Sequence, residues 1–432
     1  MAYLLRNVNP PGTRRGFIAA SPSRANPDYF YTWIRDASLV TYTLVATQLG
    51  DNAILDHASF LTVLQDFVDF QVHTQNTMHD SPCQCLGEPK YMDNGDPFKG
   101  AWGRPQNDGP AERVITMILL ANHLETIASD DITAYVQSVL KPAIYRDLDY
   151  IETHWVEPCF DLWEEIRGHH FYTWMVMRRA LLDGSRFAAL QGHRQGGHRY
   201  RRQARAIQDR LLSFWSKQDG YVRVTQAQLE GQAKPSGLDI SVLLAANLAA
   251  TLDDDFFTPS SDKILATAVA MEQRFDQVFP INHERNKTRY GVAMGRYPED
   301  VYDGNGMSLG NPWFLATACM AELYYRAMLT WQSQGGVEVN EINHGFFLQR
   351  DTKVVTGHVY RLGQPDYQQL IQQLTTEADR FLATIQYHQQ ANGALSEQFN
   401  RWTGYQQGAE DLTWSYASLL SALHARQQWL AQ

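Results

Sequence analysis

The chain contains no apolar run approaching the ~18 residues that a membrane-spanning helix needs, and its opening stretch, MAYLLRNVNPPG, lacks the long apolar core of a secretory signal. No membrane partner is expected, and no export signal is read. Only 4 cysteines occur, Cys83, Cys85, Cys159 and Cys319, from which no disulfide framework can be drawn, and the C-x-C at 83–85 is too short for a clean zinc pair. Cys319 falls in the apolar run FLATACMAELYY, where a buried thiol is the expected state. Positive charge is also scarce: 37 Lys and Arg against 47 Asp and Glu leave a formal net charge of −10. Such a field repels phosphate backbones and argues against nucleic acid as a partner. Alternating strand patterns are few, no Ser/Gly or Pro-rich linker divides the 432 residues, and no short-period repeat is visible. What these absences leave is one all-α domain acting on a neutral or small partner.

Helical periodicity fills most of that chain. Ile264, Ala268, Met271, Phe275 and Val278 are spaced four and three apart, as are Tyr367, Leu370, Leu374, Ala378, Phe381 and Ile385. About eleven helical segments are predicted, near 35–49, 53–75, 110–128, 134–155, 170–192, 198–216, 239–252, 262–279, 312–333, 365–390 and 411–430. The intervening stretches 79–109, 156–169, 284–311 and 391–410 are rich in Gly, Pro, Asp and Trp and longer than simple connectors, the kind of loop that carries function.

Aromatic content is high at 12%, with 11 Trp and 21 Tyr, enough to line a cleft. Acids cluster with aromatics in DYFYTWIRDAS (28–38), DLWEEIRG (161–168) and ALSEQFN (394–400), each expected at a loop–helix junction. Sugars offer axial hydrogens to aromatic faces and hydroxyls to acids, arginines and amides, so sugar sites mix these residue types. Glycosidic cleavage further needs one carboxyl held protonated by an apolar environment and a second one ionised; Trp163 beside Glu164 is the expected source of that apolar environment. A single acid of this kind is more simply a helix-capping group stabilised by the helix dipole. A set of them beside tryptophans, arginines and glycines is not, because a cap needs no such neighbours.

Other signals point to bland roles. HRQGGHRYRRQAR (193–205) reads as a solvated helix face. Asp253, Asp254 and Asp255 before Phe256 read as an exposed turn, for want of a second acidic motif to complete a metal site. His169 and His170 are adjacent and so diverge, and Asn286-Lys287-Thr288 is a sequon of the kind chance supplies.

Taken in order, ASPSRANPDYFYTWIRDASLV (20–40), GAWGRPQNDGPAERV (100–114), DLWEEIRGHHFYT (161–173), GRYPEDVY (295–302), NPWFLAT (311–317), LSEQFN (395–400) and EDLTWSYASLLSA (410–422) closely resemble the glucoamylases of glycoside hydrolase family 15. The resemblance implies an (α/α)6 barrel with the active site in loops at one end. Eleven segments fall one short of twelve, and MAYLLRNVN leaves the N-terminal helix truncated by this reading. It implies exo-acting, inverting hydrolysis of α-1,4 and, more slowly, α-1,6 bonds at non-reducing ends of starch, glycogen or maltooligosaccharides, with release of β-D-glucose. A trehalase or an inverting disaccharide phosphorylase is the neighbouring alternative, and a silent carbohydrate-binding protein the alternative of another class. No cofactor or metal, a monomeric state, a single catalytic domain spanning 1–432 and no appended starch-binding domain are expected. A secreted or vacuolar location is common in the family.

Residue by residue, the resemblance makes Glu164 the general acid and Glu397 the general base. Glu165 and Gln398 would bind substrate and help orient the attacking water, and Tyr29 would contribute near the base. Arg35 and Asp36 would hold the hydroxyls of the terminal glucose, and Trp33, Trp102 and Trp313 would wall the pocket. Arg296 would be a sugar-hydroxyl ligand and Asp300 its charge partner, while Asp161 would support the acid loop. The stretch VYDGNGMSLGNPWF (301–314) looks longer than in many members and bears on the outer subsites. In many members a serine stands where this chain has Gly408 and donates a hydrogen bond to the base. Its loss is expected to raise the pKa of Glu397, placing the acidic limb of the pH–rate profile above that of a Gly408→Ser variant.

Overall fold

The computed structural model describes residues 1–48, 55–127, 129–249 and 254–432. In chain order the described residues form α1 (Ala2–Arg6), β1 (Thr32–Trp33), α2 (Ile34–Gln48), α3 (His57–Asn76), β2 (Lys90–Tyr91), α4 (Asp108–Glu125), α5 (Asp130–Tyr135), α6 (Lys141–His154), β3 (Cys159–Phe160), β4 (Arg167–His170), α7 (Phe171–Leu190) and α8 (Arg194–Leu211). Then follow β5 (Trp215–Ser216), β6 (Tyr221–Val222), β7 (Thr225–Glu230), α9 (Ser241–Ala249), α10 (Asp262–Val278), α11 (Pro280–Glu284), α12 (Phe314–Gln334), β8 (Gly336–Glu338), α13 (His344–Leu348), β9 (Val359–Arg361), α14 (Pro365–His388), β10 (Gln398–Phe399), β11 (Gln406–Gln407) and α15 (Thr413–Leu430).

The predicted helices are recovered within a few residues, apart from the ends that fall on 49, 53–54, 128 and 250–252, outside the described residues. The expected helix at 134–155 starts earlier, at Asp130, and is interrupted by a π turn over Val136–Leu140. Pro142 near the start of α6 explains the interruption, because it cannot donate the backbone bond that an α ladder would require there. At the N-terminus a five-residue helix, α1, buries Leu4. The all-α reading missed a set of short antiparallel ladders, β1–β2, β3–β4–β7, β5–β6, β8–β9 and β10–β11, most of whose strands are two or three residues long. Such strands are too short to show alternation, so the sequence had no period to display.

The contacts gather the chain into two compact units where the sequence reads as one domain: Met1–Leu212 with Thr225–Ala233 and Leu412–Ala417, and Ser213–Val224 with Lys234–Asp411 and Ser418–Gln432. In the first, α4 and α7 are buried almost all round and pack on one another, α2 covers α4, and α8 covers α7. α8 has the one-sided burial of an outer helix, with Tyr200, Ala204, Ile207 and Leu211 inward and Arg194, Arg201, Arg202 and Arg205 exposed, as a solvated basic face should be. Arg113 on α4 grips Asp147 on α6 with two bonds of 2.6 and 2.7 Å, both groups buried, and so ties these helices in one register.

In the second unit α12 is the buried helix, flanked by α14 and α9. On α14 all six periodic residues named above are buried, and on α10 Ile264, Ala268, Met271 and Phe275 are buried while Val278 is half-buried. Cys319 is buried on α12, with Asn247 on its sulfur at 3.4 Å. Of the acidic turn, Asp253 lies outside the described residues; Asp254 accepts from the Phe256 amide at 3.2 Å, as in an ordinary turn.

Candidate active site

DLWEE lies on a β-hairpin, not at a helix start. β3 and β4 pair antiparallel, Cys159 with Gly168 and Phe160 with Arg167, and residues 161–166 form the reversal between them. Asp161 closes it: its Oδ1 accepts the amides of Glu165 at 2.8 Å and Ile166 at 2.9 Å, and its carbonyl accepts the amide of Glu164 at 2.9 Å. Asp161 thereby ties the reversal together through its backbone. The reversal forces Glu164 to φ 68°, a left-handed conformation that costs a non-glycine residue roughly 1–3 kcal/mol and persists where surroundings dictate it.

Those surroundings are polar. Trp33 Nε1 donates to Glu164 Oε1 at 2.6 Å, Gln106 Nε2 donates to the same oxygen at 3.0 Å, and Arg35 Nη2 stands 3.6 Å from it. Trp163, next in sequence to Glu164, is buried. Its ring stacks on Trp414, centroids 6.0 Å apart. Glu165, the next residue, is half-buried.

WIRD is positioned by the β1–β2 ladder, in which Trp33 pairs with Lys90 immediately before α2 begins. Arg35 is buried, with Nη1 on Asp108 Oδ2 at 2.8 Å and on Gln106 Oε1 at 3.0 Å; burial works against its charge, but the carboxylates of Asp108, Asp36 and Glu164 outweigh it and keep the guanidinium protonated. Asp36 is pushed up to about 6, chiefly by burial, with Arg35 opposing. Behind them burial holds Glu112 well above the usual carboxyl range, and Tyr172 donates a short bond to it. Tyr29, Trp33 and Trp102 form one aromatic run, Trp33 lying 5.6 Å from Tyr29 and 6.0 Å from Trp102 between centroids.

Sequence reasoning missed Gln106, which bridges Arg35 and Glu164, and Lys90. Lys90 is 3% exposed, and its ammonium sits inside a cage of Trp102, Tyr31, Phe98 and Trp33 at 3.7–4.6 Å from the ring centroids. The cage comes from separate segments, so no local pattern announces it. Burial pulls Lys90 down to about 8, with Glu164 pulling the other way. The folded value therefore lies below the unfolded one, and between about pH 8 and 10.5 the unfolded chain binds the extra proton. Wild-type stability is expected to gain from this group as pH rises through that window. Lys90→Met, similar in volume, is expected to be the more stable protein at pH 7 by roughly 1–3 kcal/mol, with the difference shrinking by pH 10. Urea midpoints at the two pH values measure it, and a difference that grows with pH overturns it.

In the second unit, Glu397 is buried just before β10, its amide donating to Ala409 O at 2.9 Å. β10 pairs with β11, Gln398 opposite Gln407, and Gln398 also bridges to Trp313 at the entrance of α12. The LSEQFN loop is thus a hairpin arm, again not a helix junction. Gln398 Nε2 donates to Glu397 Oε2 at 3.3 Å. Arg296 and Asp300 form a buried bidentate pair at 2.7 and 2.8 Å, which makes Asp300 the charge partner expected, and the guanidinium lies 5.3 Å from the Trp313 centroid. Gly408 has φ 76°, and a Cβ built on it would come within 2.4 Å of Glu397 Oε2. A serine at 408 therefore requires the Glu397 carboxylate to shift before it can be received.

Among the described residues no group of three His, Cys, Asp or Glu is arranged to hold a metal ion, and no helix is long and apolar enough to cross a membrane. His170 is fixed by Thr225 Oγ1 and the Cys159 carbonyl, each at 3.0 Å.

The sequence profile of the family described as glycosyl hydrolases family 15 matches residues 1–424. Glucoamylase 1 of Rhizopus oryzae is 49% identical over 424 residues, covering 98% of this chain and 68% of that protein. Among solved structures, the family 15 glucoamylase of Hypocrea jecorina superposes with a TM-score of 0.90 at 33% identity, over 99% of this chain and 70% of that one. The glucoamylase of Saccharomycopsis fibuligera does so with a TM-score of 0.88 at 28% identity, over 99% and 93%. The fold class is accordingly the (α/α)6 class of these enzymes. With the WIRD, DLWEE and SEQ segments each held on a short antiparallel ladder, and with likeness along the whole of its length, the chain belongs to glycosyl hydrolase family 15.

Proposed function

We propose that the chain is a glucan 1,4-α-glucosidase of the glucoamylase type, hydrolysing starch-like α-glucans. In the reading we favour it removes glucose from non-reducing ends with inversion, cleaving α-1,4 bonds and, more slowly, α-1,6 bonds. The observation that carries this is the polarity of Glu164: the donors from Trp33 and Gln106 both address Oε1, which directs the acidic proton to Oε2. In the step proposed, that proton passes to the glycosidic oxygen as the bond from C1 to that oxygen breaks. Water attacks C1 from the opposite face and gives its proton to Glu397. The leaving sugar departs neutral, and β-D-glucose carries the new hydroxyl.

Arg35 and Asp36 hold the hydroxyls of the terminal glucose in this reading, while Trp33, Trp102 and Trp313 wall it. The buried indole nitrogen of Trp102, which has no acceptor among the described residues, is a donor available to a sugar hydroxyl. Tyr29, Glu165, Gln398 and Arg296 complete the contacts, and the enzyme acts as a monomer. The test is proton NMR of a maltotriose digest in its first minutes, where the β anomer of glucose is expected ahead of mutarotation. An α anomer appearing first defeats the inverting assignment.

A further inference from the structure

The amide of Gln398 can serve Glu397 only if it is held the right way round, and the surroundings settle its direction. Asn311 is 2% exposed. Its Oδ1 accepts the backbone amide of Arg401 at 3.1 Å. A backbone N–H can only donate, so the other end of the Asn311 amide, Nδ2, must face away, where it donates to Gln398 Oε1 at 2.9 Å. With Oε1 so engaged, Gln398 presents Nε2 to Glu397 Oε2. The order of donors is thus set from Arg401 through Asn311 and Gln398 to the carboxylate.

The loop before Asn311 fixes the other side. Asp303 closes it by accepting from Gly306 N at 2.7 Å and Ser308 Oγ at 2.6 Å, while the Asp303 carbonyl takes Gln407 Nε2 of β11 at 2.6 Å and Asn311 Nδ2 at 3.3 Å. Gly304 abuts Gly408 so closely that a Cβ on Gly304 would stand 2.7 Å from the Gly408 Cα.

We infer that Asn311 is a positioning residue for the general base: it sets the direction of the Gln398 amide so that an N–H, and not a carbonyl oxygen, meets Glu397. The inference rests on the reading of Glu397 as the base. Asn311→Asp keeps the shape and the acceptor for Arg401 but removes the donor to Gln398. The Gln398 amide then does best by turning its Nε2 to the carboxylate introduced by that substitution, which leaves Oε1 against the base.

The experiment measures kcat and KM of Asn311→Asp on maltotriose and on α-glucosyl fluoride, whose leaving group departs without a proton donor but still needs activated water. Expected is a fall in kcat of about 10- to 100-fold on both substrates, with KM changed less than about threefold. Asn311→Ser, which keeps a hydroxyl donor, is expected to recover part of that loss. Unchanged kcat in Asn311→Asp overturns the inference, as does a defect that appears in KM alone, or failure of both variants to fold, which would make Asn311 a structural residue. Glu397→Gln is run beside them. Full activity there sinks the base assignment itself, whereas an inactive Glu397→Gln beside a normal Asn311→Asp sinks only the role of Asn311.

Discussion

Glu164→Gln is expected to lower kcat on maltotriose by about 10²- to 10⁴-fold while leaving maltooligosaccharide binding within a few-fold. The carboxamide can still accept from Trp33 Nε1 and Gln106 Nε2 through its Oε1, so the side chain stays in place, and the left-handed backbone at 164 is under the same strain as before. What the variant loses is the proton on the other oxygen. α-Glucosyl fluoride separates this from a general loss of structure, because fluoride leaves without general-acid help. The deficit on that substrate is expected to be far smaller than on maltotriose. Equal deficits on the two substrates, or intact turnover of maltotriose, would remove Glu164 from the role of acid.

The sequence made the DLWEE and SEQ segments stand out because each is a contiguous run of unusual chemistry, and the helices legible because outer helices such as α8 and α14 bury one stripe and expose the rest. The indole that donates to Glu164 was not legible, because Trp33 lies 131 positions away, nor was the stack of Trp163 on Trp414. Lys90 was invisible for a similar reason: its cage needs the β1–β2 ladder to bring Tyr31 and Trp33 beside residues 90–102. Gln106, Asp108 and Asn311 all lay inside quoted segments, yet amides and acids announce nothing until their partners are known. The strands that carry the DLWEE and SEQ loops are too short to show a period.

Gly408→Ser is where the reading of the sequence and the geometry part most sharply. By resemblance alone, a serine at 408 supplies a hydrogen bond to Glu397 and lowers the acidic limb of the pH–rate profile. In this backbone the same substitution places a Cβ 2.4 Å from Glu397 Oε2, at a φ of 76° that L residues occupy at a cost of roughly 1–2 kcal/mol. The Gly304 backbone runs close by, since a Cβ built on it would stand 2.7 Å from the Gly408 Cα. The carboxylate must therefore swing, and the Gln398 amide loses its 3.3 Å contact with it. The expected result is a fall in kcat of about 10- to 100-fold with a lowered melting temperature, and little change in KM. A Gly408→Ser protein with full kcat and an acidic limb shifted downward would show instead that the base arm rearranges to receive the hydroxyl. If the loop from 303 to 310 is what forbids that rearrangement, shortening it in the Gly408→Ser background should restore turnover, because the backbone at 408 would again be free to move away from the base.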